Sequence, residues 1–147
     1  MADINLTQSE ADFLLKMEKC SINENSLDLP DLGGSLSVLL TSPDKKENFV
    51  LDVSKGRIDI KRQKFQNRTR DAIILARLDL NNPHRNPDGQ EIGTPHLHLY
   101  KEGFNDKWAY ELPDVFKDTS DFWQTLQDFM KFCNVIKSPN FNKGLFS

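Results

Sequence analysis

Between residues 35 and 80 the chain runs as four apolar segments, each closed by turn formers, and this commits its middle to antiparallel β-structure. Residues 35–42 (SLSVLLTS) are rich in leucine and valine and stop at Pro43-Asp44. Residues 48–53 (NFVLDV) follow, and Ser54-Lys55-Gly56-Arg57 places a glycine late in the turn, as a hairpin requires. From 57 to 65, Ile58 and Ile60 alternate with Arg57, Asp59 and Lys61, which predicts a third strand. A turn at Asn67-Arg68-Thr69 leads into residues 71–80 (DAIILARLDL), the most apolar strand. Two more strands are expected at 95–100 and 108–112, beyond a long polar loop over 81–93 whose Pro87-Asp88-Gly89 signals a turn.

Helices bracket this β region. Thr7 and Glu10 have the spacing of a capping box, and Phe13, Leu14, Met17 and Cys20 continue as an apolar stripe. Asp12, Lys16 and Lys19 take the opposite side, and the helix is expected to end near Cys20. A second helix is capped by Asp118-Thr119-Ser120-Asp121 and carries Phe122, Trp123, Leu126, Phe129, Met130 and Cys133 as a wide apolar stripe. The tail after Asn134 reads as irregular. The expected fold is a single α+β domain: a mostly antiparallel five- to six-stranded sheet with an N-terminal and a C-terminal helix packed on one face. The other face is then free to be polar.

Composition narrows the partners. With 147 residues the chain is long enough for one real core, and a net charge of -3 gives no global attraction to nucleic acid. Any such recognition has to come from a local patch. Cys20 and Cys133, both expected within helices, lack the close spacing of a zinc knuckle and read as small buried residues rather than a disulfide. The start MADINLTQSE has no apolar run, and no segment reaches the roughly 20 apolar residues of a membrane span, so a cytoplasmic location without membrane contact is expected.

The side chains suited to chemistry crowd into residues 77–111, which hold all three histidines, His84, His96 and His98. The period of two puts His96, His98 and Tyr100 on one side of their strand, and Arg77 and Asp79 on one side of theirs. With Arg57, Asp59 and Lys61 from the third strand, one sheet face would collect them all, provided the register does not slip.

Three chemistries use that set. In the first, His96 and His98 transfer protons, with His84 as a loop partner. Arg57, Lys61 and Arg77 then bind phosphate, and Phe65, Tyr100 and Trp108 stack on bases, giving an RNA- or DNA-binding face capable of metal-independent phosphodiester cleavage. In the second, the face is a non-enzymatic protein-binding surface anchored by Trp108, Tyr100 and Arg77. In the third, His96 and His98 hold a divalent metal together with Asp79, Glu102 or His84. Arginine and lysine beside two histidines favour an anion over a cation, so no cofactor is expected. His96-x-His98-x3-Glu102 resembles part of the first cupin motif, without its downstream glycine or a second histidine motif.

The run Leu78-Asp79-Leu80-x2-Pro83-His84-x-Asn86-Pro87-Asp88-Gly89, then Pro95-His96-Leu97-His98-Leu99-Tyr100-x-Glu102-Gly103 and Trp108-Ala109, resembles a family of short bacterial and phage proteins known only as a domain of unknown function. The similarity extends to Phe129, Met130 and Cys133 in the last helix. The expected function is that of a small accessory protein of mobile-element, toxin–antitoxin or defence-related context that binds or acts on nucleic acid, or alternatively of an antitoxin or anti-defence inhibitor. The similarity itself implies only a bacterial or phage origin, in mobile elements or defence-related loci, and no activity. It supplies no catalytic residues.

Overall fold

The computed structural model describes residues 5–22, 24–57 and 62–142. In chain order the elements are α1 (Gln8–Lys16), β1 (Lys19–Ser21), β2 (Leu27–Asp28), β3 (Ser35–Thr41), β4 (Asn48–Ser54), β5 (Lys64–Thr69), β6 (Ile73–Asp79), β7 (His84–Arg85), β8 (Glu91–Ile92), β9 (His96–Lys101), β10 (Asn105–Glu111), α2 (Phe122–Phe132), β11 (Val135–Lys137) and β12 (Phe141–Asn142). Eight strands form one sheet in the order β10-β9-β6-β5-β4-β3-β1-β11. Every neighbouring pair in it is antiparallel except β1 with β11. The fold is α+β with two helices, as expected, but its sheet is larger than five or six strands. The extra strands are short pieces, β1 and β11, that owe their extended form to pairing rather than to their own pattern.

Local chemistry starts and stops the helices. The Thr7 hydroxyl accepts from the Glu10 backbone N–H while the Glu10 carboxylate accepts from the Thr7 N–H, satisfying two orphan donors of α1. The Asp121 carboxylate accepts from the Gln124 N–H at the start of α2. Helix α1 ends sooner than its apolar stripe predicts, because Met17 turns extended and the chain enters β1. Cys20 is therefore a strand residue, and Cys133 is the C-cap of α2; both are free thiols.

One continuous core joins these elements. Ala11 and Leu14 of α1 and Phe122, Leu126, Phe129 and Met130 of α2 cluster with Val38, Leu40, Leu51, Val53, Phe65, Leu78 and Leu97 of the sheet. Phe65, expected to stack on bases, is instead fully buried in this core, its ring 5.4 Å from Phe122 and 6.0 Å from Phe129. Each valine, leucine, phenylalanine or methionine among them, once out of water, contributes about 1.5–3 kcal/mol. Among the described residues no helix is long and apolar enough to cross a membrane.

Several turns fall elsewhere than the sequence signals. Asn67, Arg68 and Thr69 lie within β5, and the chain reverses instead at Arg70-Asp71-Ala72, where Arg70 and Asp71 adopt φ of 50° and 65°. No glycine or asparagine marks this left-handed pair, so the usual sequence cue is missing. The third strand begins at Lys64, and residues 58–61, including Ile58, Asp59, Ile60 and Lys61, lie outside the described residues. The polar loop over 81–93 contains the β7–β8 hairpin. Its turn is the Asn86-Pro87-Asp88-Gly89 segment, in which the Gly89 N–H donates to the Asn86 carbonyl and Gly89 takes φ 90°. Up to Asn142 the tail is not irregular: β11 pairs with β1 and β12 pairs with β2, both in parallel.

Lys19, expected on the solvent side of the first helix, is fully buried. Its ammonium donates to the carbonyls of Leu15 (2.8 Å), Met17 (2.9 Å) and Cys133 (2.6 Å), where the C-terminal ends of α1 and α2 converge. It thus satisfies carbonyls that the helix ends leave orphaned.

Candidate metal centre

Strand register assembles the polar face rung by rung. Ser37, Asp52, Gln66, Arg77, His98 and Ala109 pair across successive strands, and the next rung runs Ser35, Ser54, Lys64, Asp79, His96 and Glu111. Arg77 is therefore directly opposite His98, and Asp79 directly opposite His96. Directly opposed side chains share a face and sit close enough to interact. His96 and His98 are 0% and 1% exposed and Asp79 is 8% exposed, so this end of the face is enclosed rather than open to solvent.

The hydrogen bonds fix which ring nitrogens carry protons. His96 Nδ1 lies 3.0 Å from the Gly93 carbonyl, and His98 Nδ1 lies 2.8 Å from the Asp106 carbonyl. A carbonyl only accepts, so both Nδ1 atoms must be the N–H donors. In the neutral rings the two Nε2 atoms then carry lone pairs, and they face one another at 3.0 Å. Two buried lone pairs at that distance repel unless a positive centre lies between them. Asp79 Oδ2 stands 3.9 Å from His96 Nε2, and the ligand atoms of Asp79, His96 and His98 all lie within 4.8 Å of one another. Bonds of about 2.0–2.2 Å to a tetrahedral ion put neighbouring ligand atoms roughly 3.2–3.6 Å apart. The 3.0 and 3.9 Å separations bracket that range, and the widest, which reaches 4.8 Å, has to close around the ion. Imidazoles tied through their second nitrogen to backbone carbonyls are also the usual outer-shell arrangement of metal-binding histidines.

Electrostatics disfavour a proton as the bridging charge on His98. Burial, reinforced by the Arg77 guanidinium, lowers its pKa to about 4, so the ring stays neutral at physiological pH. The sign for stability follows. An unfolded histidine takes up its proton near pH 6.5 and the folded one only near 4, so the metal-free protein holds this contribution above about pH 6.5 and loses it as pH falls towards 4. Urea titrations of chelator-treated protein should show on the order of 3 kcal/mol lost across that window, and the loss should be absent in His98→Asn. A flat stability profile in that range would rule out a buried neutral His98.

His84 joins from the hairpin. Its ring stands edge-on to His98 at 4.6 Å between centroids and 5.9 Å from His96, and its Nε2 donates to the Lys107 carbonyl at 2.7 Å. The same hairpin holds the backbone of β10 through Asn86, whose side-chain amide donates to the Ala109 carbonyl and accepts from the Ala109 N–H.

The remaining sequence candidates separate from this cluster. Tyr100 is buried, and its hydroxyl pairs with the backbone N–H and carbonyl of Leu6. Trp108 pairs with Leu99 in register, and Lys101 Nζ lies 4.0 Å over its ring. Glu102 accepts from the Gln8 N–H at the start of α1 and is not one of the clustered ligands. Arg57 is exposed and its side chain lies against Gly33. Lys61 lies outside the described residues. Arg68, Arg70, Arg77 and Arg85 are each ion-paired, to Asp52, Glu47, Asp106 and Glu91 respectively. Asp106, absent from the sequence candidates, both pairs with Arg77 at 2.6 Å and lends its carbonyl to His98. A register shift between Asn105 and Trp108 sets its position, and alternation counting has no way to detect such a shift.

Fold and cluster together define the class: an α+β protein with a buried site of two histidines and one carboxylate on a mostly antiparallel sheet. Residues 6–135 match the model of a family of unknown function (DUF6978), and the chain belongs to that family. No curated protein and no solved structure matches it.

Proposed function

We propose that this protein binds one divalent first-row transition-metal ion through Asp79, His96 and His98, and that the ion is structural. The observation that carries this reading is the pair of Nε2 atoms facing each other at 3.0 Å beside the Asp79 carboxylate, with both Nδ1 atoms committed to carbonyls. Two imidazoles and a carboxylate suit zinc, and the same set suits iron(II). Enclosure favours a structural ion, since a catalytic metal keeps a position open to water or substrate. The reading takes both helices to lie on the apolar face, which leaves the histidine face for the ion. A phosphate-binding face draws less support, because Arg68 and Arg77 already face carboxylates.

Elemental analysis of protein purified without chelator or affinity metal tests the proposal. One equivalent of zinc or iron per chain is expected, falling to near zero in His96→Ala/His98→Ala. Sub-stoichiometric metal in the wild type that zinc titration cannot restore would sink it.

A further inference from the structure

We infer that His84, through Nδ1, is the fourth ligand of the Asp79–His96–His98 centre, so that the bound ion ties the β7–β8 hairpin to edge strand β10. This rests on the metal reading above and adds the coordination number and the element that the ion controls.

The three histidines follow one pattern. Each donates a single ring N–H to a backbone carbonyl: His96 to Gly93, His98 to Asp106 and His84 to Lys107. That leaves each ring one nitrogen with a lone pair, Nε2 for His96 and His98 and Nδ1 for His84. The His84 ring stands edge-on to His98 at 4.6 Å between centroids and 5.9 Å from His96; its ring nitrogens fall outside the Asp79–His96–His98 group, so coordination requires the hairpin to bring the ring inward. A carboxylate and two imidazoles leave a tetrahedral ion one ligand short, and an enclosed structural site fills that position with protein.

The hairpin side of the site has its own consequence. His84 occupies the Lys107 carbonyl and Asn86 occupies both backbone groups of Ala109, so residues two apart on the hairpin cap residues two apart on β10. These are outward-facing groups of a terminal strand, the kind that otherwise recruit another chain. An ion that holds His84 therefore also holds this side-chain cap in place.

Cobalt(II) is the probe, because its visible absorption distinguishes four-coordinate from higher-coordinate sites. Wild-type protein with one equivalent of cobalt(II) should give the intense bands of a tetrahedral site. His84→Ala should still take up one equivalent, but with weak bands of a five- or six-coordinate ion. Its affinity should fall more than about a hundredfold, beyond the roughly 10–100-fold expected for losing only an outer-shell partner. Hydrogen exchange supplies a second readout: metal should slow exchange of the Ala109 amide in the wild type and leave it unchanged in His84→Ala. Stoichiometric cobalt with the same spectrum and affinity in both proteins overturns the role of His84 and leaves the three-ligand reading standing. No uptake by the wild type overturns both.

Discussion

Replacing Lys19 with methionine will cost the fold about 3 kcal/mol. Methionine keeps the length and apolar stem of the lysine but strands the carbonyls of Leu15, Met17 and Cys133, which the ammonium now satisfies inside the protein. Each buried polar group left without a partner costs about 1–3 kcal/mol, partly offset because no charge then needs to be desolvated. Burial lowers the Lys19 pKa to about 8, which still leaves it an ammonium at neutral pH. For a chain of this size the change corresponds to a Tm lowered by roughly 10 °C, readable by thermal or urea denaturation. A variant within about 0.5 kcal/mol of wild type would mean that the carbonyls find other partners and that Lys19 does not cap the helix ends.

Stripping metal from the wild type should have an effect of similar size. At a free zinc concentration about a thousandfold above Kd, binding to the folded state alone contributes about 4 kcal/mol. Melting with saturating zinc and again with EDTA should therefore differ by roughly 10 °C. The same comparison in His96→Ala/His98→Ala should show no difference, and Asp79→Asn, which preserves shape, should show a reduced one. Equal melting temperatures for the wild type in zinc and in chelator would remove the stabilising role assigned to the ion.

Strand alternation carries the candidate site a long way. Arg77 with Asp79, and His96 with His98, are each separated by one residue, so each pair must share a side of its strand. Antiparallel pairing of β6 with β9 then suffices to bring the four together. Depth was not legible. A polar sheet face reads as solvated, yet His96 and His98 are enclosed, with His84 of the β7–β8 hairpin standing edge-on to His98. Asp106 was hidden by the irregular register of β10, and Lys19 by an apolar stripe that continues past the true end of α1. In each case tertiary pairing outweighed a local pattern. The short strands β1, β11 and β12 have the same origin, because each is extended only through a partner distant in sequence.

Those short strands also govern how the molecule would bear load. Both parallel pairs, β1 with β11 and β2 with β12, join an early part of the chain to a late one. Tension applied between Asn5 and Asn142 would pull each pair lengthwise in opposite directions, so its hydrogen bonds would be sheared together rather than unzipped one by one. The two ends of the described chain are thus fastened by a mechanical clasp, while the hairpins between them bear none of that force until the clasp gives way.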